Sequence, residues 1–313
     1  MKTANKIELH YFLGNGLHLI DAFVRHKCET EILTIAKDLI NAFGFDIEIL
    51  SEVPTTGGFI EGWKFAGNND EQLTLIASVI SLILSKVPPS NLELEKLQKE
   101  NLKLGAKEKR STIDKLKAEL AENKKVTTAL IQKAVGFFEA DFKLIKHKSN
   151  FYLALQNYLL VEKISTNIFF DNTVIGKDKF VGRADFHKFI LSSNKLPEQI
   201  IENAVIELVS PVLKSGKYKW KGIYDEKVVV FTMKDDDYQK SVVKKEVSFQ
   251  SGFSFQCILK ITRIIDDFGV IQIRSYTVLT VLGKLQDNKV IETEQGKRYK
   301  KTKEESEKQL SLF

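Results

Sequence analysis

The chain has 313 residues, 43% hydrophobic and 28% charged, which excludes a disordered chain and leaves room for two folded units. Its net charge of +6 arises from 47 basic and 41 acidic residues interspersed throughout, so contact with nucleic acid is permitted and not demanded. The two cysteines, Cys28 and Cys257, fall in different parts of the chain, which argues against a structural disulfide or a cysteine zinc site and suits a reducing cytoplasm.

The residues Met1 to Lys6 lack the apolar run of a secretion signal. Ile7 to Leu13 alternates apolar and polar residues at its start, as a strand does, and Gly14-Asn15-Gly16 breaks it. From Leu17 to Phe43, Ile20, Phe23, Val24, Ile32, Ile35 and Leu39 recur at helical spacing, and Gly44 suits a helix stop. Asp46 to Leu50 reads as a second strand, which predicts a βαβ unit or a split version of one. After a loop at Val53 to Gly58, Phe59 to Phe65 suggests a third strand, and Asn68-Asn69-Asp70 caps an apolar helix over Leu73 to Leu84. That helix is uncharged from Gln72 to Ser85, shorter than the roughly 20 residues that span a bilayer. Its all-round apolarity predicts burial or packing against a second copy, hence a homo-oligomer.

Pro88 to Lys125 is rich in Lys, Glu and Leu and has no aromatic residue. Leu94, Leu97, Asn101 and Leu104 share one heptad spacing and Ile113, Leu116 and Leu120 another, out of register across Gly105. This predicts a solvated helical spacer with weak coiled-coil character. Val126 to Leu159 predicts two helices broken near His147-Lys148-Ser149-Asn150, and Leu160 to Phe170 a strand. Pro197 is placed to open a short helix over Glu198 to Asn203. Short strands then follow at close spacing, with one helix at Asp235 to Lys245, which suggests a small OB-like or SH3-like barrel. Beyond Gly283 the apolar residues thin out and a disordered tether is expected. The fold class is α+β, with expected divisions 1–87 (α/β unit), 88–125 (spacer), 126–283 (helices leading into a mostly antiparallel barrel or half-open sheet) and 284–313 (tether).

Few residues suggest chemistry. Gly14-Asn15-Gly16 matches part of a dinucleotide fingerprint, but Leu19 stands where the third glycine belongs, so a tight turn is the simpler reading. His18, Asp21 and Arg25, with Cys28 and Glu29, step along one helical stripe. They are weak catalytic or ligand candidates, with His10 and Glu52 as further ligands, set against a solvated ion-pair face. Asp185 with His187 and Arg183 has no nucleophile turn beside it. Asp235-Asp236-Asp237 fits a helix N-terminus. There is no P-loop, zinc-finger spacing or EF-hand loop, so no metal or cofactor is expected. Trp220, with Lys217, Lys219, Lys221 and the tyrosines Tyr218 and Tyr224, could set aromatic rings against bases and lysines against phosphates, although Tyr218-Trp220 alternating with Lys219-Lys221 is what any amphipathic strand shows. Lys297, Arg298, Lys300 and Lys301 form a second basic tract.

The last five residues, Gln309-Leu310-Ser311-Leu312-Phe313, resemble the pentapeptide by which bacterial polymerases, mismatch-repair proteins and other factors dock on the replication sliding clamp. The resemblance implies that Gln309 hydrogen-bonds at the pocket rim, that Leu310, Leu312 and Phe313 are the apolar anchors, and that Ser311 tolerates change. It implies a bacterial, cytoplasmic accessory or adaptor protein recruited to sites of DNA replication or repair, and leaves open whether the folded units catalyse a reaction. The alternative from architecture is an effector enzyme, antiphage or toxin-like, with an N-terminal unit acting on a nucleotide or nucleic acid and a C-terminal sensor.

Overall fold

The computed structural model describes residues 4–14, 19–52, 59–88, 105–214, 216–286 and 289–310; for 106, 286, 289 and 306–310 only the backbone course is described. The chain divides into two compact units, one made of Met1–Asn194 with Ile265–Val270, the other of Lys195–Ile264 with Ile271–Phe313. The architecture is α+β, as the patterning predicts.

Unit 1 is built on an antiparallel sheet. Strand β1 (Lys6–Leu13) pairs with β3 (Phe59–Ala66) on one side and β4 (Val161–Phe170) on the other, while β2 (Glu48–Ser51) extends the sheet beyond β3. Because β3 is antiparallel to both β1 and β2, the path through helix α1 (Ala22–Phe43) is the split form of a βαβ crossover. The pairing of Ile7 with Ile168 draws residues far beyond 87 into this unit, so the chain divides elsewhere than the expected boundaries. A central strand has two edges, and residues 1–87 fill only one of them.

Helix α2 (Asp70–Ser85) is buried at Leu73, Leu75, Ile76, Val79, Ile80, Ile83 and Leu84. It lies against strands β1, β3 and β4 and helices of the same unit, so its apolar circumference is used within the chain. The argument from this helix for a second copy therefore loses its premise. Among the described residues no helix is long and apolar enough to cross a membrane.

Helix α3 (Ala106–Asn123) occupies the second half of the supposed spacer. Its Leu116 and Leu120 are buried in the unit 1 core, and Glu119 pairs with Lys133 of α4 (Thr128–Phe138) at 2.8 Å. It is thus a packed helix rather than a solvated one; Leu94, Leu97, Asn101 and Leu104 lie outside the described residues.

Helix α5 (Phe142–Asn157) runs straight through His147 to Asn150, where a break is expected from the polar run. The break falls earlier, at Glu139 to Asp141, and the Asp141 carboxylate caps the N–H groups of Lys143 and Leu144. Lys146, His147, Lys148, Ser149 and Asn150 are all buried, and each finds a partner elsewhere in the unit, Lys146 and Asn150 both at Asp267. Lys146 donates to Asn194 and pairs with Asp267, His147 Nδ1 meets Glu31 at 2.6 Å, and Lys148 donates to the Lys86 carbonyl. Ser149 accepts from the Leu191 N–H, and Asn150 donates to the Asp267 carbonyl. A helix enclosed on every side reads as broken only when those partners are unseen. At its end, Arg183 donates to the carbonyls of Leu155, Gln156, Tyr158 and Val161. The strands β5 (Thr173–Val174) and β6 (Lys179–Gly182) finish the sheet by pairing with β4, and α6 (Arg183–Phe186) follows them. Asp185 sits on that single helical turn, not on a strand, and is tied to Lys188 at 2.6 Å.

Unit 2 is a closed ring. Strands β7 (Gln199–Ser210), β8 (Trp220–Tyr224) and β9 (Lys227–Met233) pair in sequence, antiparallel; β11 (Ile271–Gln286) runs parallel to β9, and β10 (Ser254–Ile265) joins β11 back to β7. Helix α7 (Asp236–Val243) lies in the chain between β9 and β10. This order, with one parallel pair and one inserted helix, is that of an OB-type barrel, the first of the two expected kinds. The expected helix at Glu198 to Asn203 is instead the first half of β7, where Ile200 and Ile201 pair with Lys260 and Leu259; ladder pairing overrides the proline cue. The expected tether is also ordered: β12 (Lys289–Glu292) pairs with β11, and α8 (Glu294–Leu310) packs on β11. That approach needs Gly296, whose added Cβ would strike the Leu282 carbonyl.

Candidate nucleic-acid interface

From Ser210 to Tyr224 the chain contains Lys214, Lys217, Lys219 and Lys221 and no acidic residue. All four lysines are exposed, and among the described residues none of them is in an ion pair. Three stand on the loop between β7 and β8, together with Tyr218, which is 59% exposed. Gly216, at φ 138, leaves the space that the Tyr218 ring fills; a side chain there would lie 2.9 Å from the ring. The fourth lysine, Lys221, points outward from β8 opposite Val230 of β9. Val228 and Val230 are exposed on the same outer face, so lysine ammonium groups border an apolar strip. Phosphates suit the former and the faces of bases the latter.

Trp220 does not belong to this surface. Its side chain is 0% exposed and packs with Phe231, Tyr238 and Phe249 at ring distances of 6.2 to 6.3 Å. The alternation that suggests a stacking platform points Trp220 into the barrel and its neighbours Lys219 and Lys221 out, so the aromatic residue available to a base is Tyr218. The signal was present as an aromatic just outside the strand, where alternation no longer dictates burial.

The second basic tract has another fate. On α8, Lys297 pairs with Glu294 and Arg298 with Asp237, each at 2.8 Å, while Lys300 pairs with Glu292 and Lys303 with Glu202. Glu294 raises the pKa of Lys297, and Lys303 lowers that of Glu202. Lys301 is exposed. Asp237 is thus committed to Arg298, and Asp235 is a buried cap whose two oxygens accept from Tyr238 and Val281. The acidic triplet serves the fold of unit 2.

In unit 1, His18 lies outside the described residues. Asp21 caps α1 by accepting from the N–H groups of Phe23 and Val24, and its own N–H donates to the Tyr158 hydroxyl. Arg25 Nε stands 2.7 Å from Glu61 Oε1, whose partner oxygen accepts from the Tyr11 hydroxyl at 2.9 Å, and Glu29 is 3.6 Å from the same guanidinium. Burial pushes the Glu61 carboxyl and the Tyr11 phenol above their ordinary values, and it pushes the Cys28 thiol up to about 12. Such a thiol is not the thiolate that nucleophilic chemistry requires. Asp21 and Arg25 therefore serve groups of the protein itself, a helix end and a buried carboxylate. Among the described residues no group of three or more His, Cys, Asp or Glu side chains is arranged to hold a metal ion.

Gln309 and Leu310 close the backbone of α8, and Leu312 and Phe313 lie outside the described residues. Comparison with family models, with curated proteins and with solved structures finds no match to this chain.

Proposed function

We propose that this chain is a non-catalytic accessory protein of the bacterial cytoplasm, recruited to sites of DNA replication or repair by Gln309 to Phe313 and holding single-stranded nucleic acid on its barrel. The observation that carries the barrel's part is the set of four exposed lysines, none in an ion pair among the described residues, grouped with exposed Tyr218 on the β7–β8 side of an OB-type ring. A strand laid along that side would meet Lys214, Lys217, Lys219 and Lys221 with its phosphates and Tyr218 with a base. The association would weaken with salt, because each phosphate contact releases a counterion. Recruitment rests on the resemblance of the terminal pentapeptide. Leu310, Leu312 and Phe313 would supply the apolar anchors and Gln309 the orienting amide. A five-residue contact supports micromolar affinity, about −8 kcal/mol, which suits a site that many proteins share in turn.

Two measurements test the parts separately. Purified sliding clamp should bind the full chain and lose measurable binding when Gln309 to Phe313 are removed; equal signals from both, or none at tens of micromolar, reject recruitment. Fluorescence anisotropy with a labelled single-stranded oligonucleotide should show binding that falls steeply between 50 and 200 mM salt, the range over which counterion release acts. Salt-independent binding, or none at low salt, rejects the interface.

A further inference from the structure

An unusual cation lies in unit 1. Lys148 is 4% exposed, in the middle of α5. A buried ammonium needs a carboxylate close by, and Lys146, two residues earlier, has one in Asp267 at 2.9 Å. Lys148 does not. Among the described residues its hydrogen bond goes to the Lys86 carbonyl at 2.7 Å, and its amine sits 5.0 Å from the Phe189 ring. The nearby carboxylate, Glu139, gives one oxygen to Lys86 Nζ at 2.8 Å, and its other oxygen is buried with no hydrogen-bond partner among the described residues.

Beside this group lies a cavity of about 40 Å³, lined by Lys148 and Glu139 and walled by apolar side chains including Ile83, Phe138, Leu144 and Phe189. A water needs roughly 10–15 Å³ on this measure, so the space takes a few heavy atoms and no more. Two amines line the cavity, Lys148 and Lys188; Lys188 is paired with Asp185 at 2.6 Å, whereas buried Lys148 beside Glu139 and these apolar walls favours chemistry in which an uncharged amine is the reactive form.

We propose that this cavity is a covalent binding site for a small aldehyde or ketone, held by Lys148 as a Schiff base. The amine lone pair attacks the carbonyl carbon; the C–N bond forms as the C=O π pair moves onto oxygen. The nitrogen proton passes to that oxygen, with the free Glu139 oxygen as carrier. The second nitrogen proton then passes by the same route to the carbinolamine hydroxyl, which leaves as water while the nitrogen lone pair forms the C=N bond. One water leaves, nothing is oxidised or reduced, and hydrolysis reverses the step. The amine is fit for this at neutral pH: burial, assisted by the Lys86 charge, brings its pKa down to about 7 against the opposing pull of Glu139. About half of Lys148 is then uncharged at pH 7, against roughly one in a thousand of an exposed lysine.

The test uses the full chain with no substitution. Acetaldehyde and sodium cyanoborohydride are added over a range of pH, and the alkylated lysines are located by peptide mass mapping. Lys148 should label at least tenfold faster than any exposed lysine at pH 7, with a rate midpoint near pH 7, while exposed lysines rise only above pH 9. Benzaldehyde, too large for the cavity, should lose that preference. Absence of label on Lys148, a rate no greater than that of exposed lysines, or a midpoint above pH 9 would overturn the proposal. Replacement by Lys148→Met should remove the fast phase and leave slow surface labelling intact; a fast phase that survives it belongs to another lysine and overturns the assignment.

Discussion

Unit 2 carries two basic stretches that look alike in sequence and end differently. Lys214 to Lys221 on the β7–β8 side has no acidic residue among its cations and, among the described residues, no ion pair, whereas Lys297 to Lys303 on α8 is largely spent on carboxylates. The partners explain the difference. Arg298 reaches Asp237 and Lys303 reaches Glu202, separated by 61 and 101 residues in the chain. An exposed pair of this kind contributes little to stability, but it occupies the cation that a phosphate would need. Counting charges along a chain finds cations; which of them remain available is decided by what the fold brings opposite them.

The largest expected effect checks the aromatic residue within the first stretch. Trp220→Ala should destabilise unit 2 by about 3–5 kcal/mol in urea denaturation followed by circular dichroism, as loss of a buried aromatic does. A cost below about 1 kcal/mol would place Trp220 on the surface among its lysines and restore it as a stacking residue.

A buried cation with no hydrogen-bonded carboxylate among the described residues is the extreme of the same comparison. The folded-state pKa of Lys148 is about 7, below the unfolded value, so between pH 7 and about 10 the unfolded chain binds more protons at this site. Unfolding free energy should therefore rise with pH, by about 2–3 kcal/mol from pH 7 to 9, and flatten below pH 7, where both states are protonated. Denaturation curves read by the buried Trp63 of unit 1 measure it, and the Lys148→Met variant should lose that rise. A rise that persists in the variant assigns the effect to another group.

A direct contest between the stretches comes next. Replacing Lys214, Lys217, Lys219 and Lys221 by Gln should weaken single-stranded DNA binding about tenfold or more and reduce the log–log salt slope by about 3. Replacing Lys297, Arg298 and Lys300 by Gln should change affinity less than about threefold, because those cations already have partners. The opposite ranking would break the comparison.

The smallest effect serves as a control. Asp225 and Glu226 turn the β8–β9 hairpin at φ 50 and 61, a left-handed pair that favours glycine. Glu226→Gly should raise the stability of unit 2 by about 0.4–1 kcal/mol in thermal melts and leave oligonucleotide affinity unchanged. A change in affinity would mean that the hairpin tip touches the ligand.

Elements with strong local periods were legible in the sequence. β1, α1, the apolar α2 with its Asn69 cap and the α7 helix all lie where spacing and capping residues put them, because those signals act within a few residues. What failed was assembly and exposure. Glu198 to Asn203 is a strand because of its ladder with β10, and α3 is packed because its Leu116 and Leu120 meet the unit 1 core. In the candidate interface, Lys219 and Lys221 were legible as outward cations, while the choice of Tyr218 over Trp220 required knowing where the strand starts.

The sequence by itself determined the α+β class, the local elements, the supply of lysines and the terminal pentapeptide, since each is written in neighbouring residues. Only the tertiary structure decided that β4 completes the sheet of β1, that the barrel closes through the parallel β9–β11 pair, and that Lys148 is buried beside a cavity with no carboxylate hydrogen-bonded to it among the described residues. Those facts depend on groups far apart in the chain, such as His147 and Glu31 at 116 residues' separation. No local pattern encodes them, because burial and pairing are properties of the partner as much as of the residue.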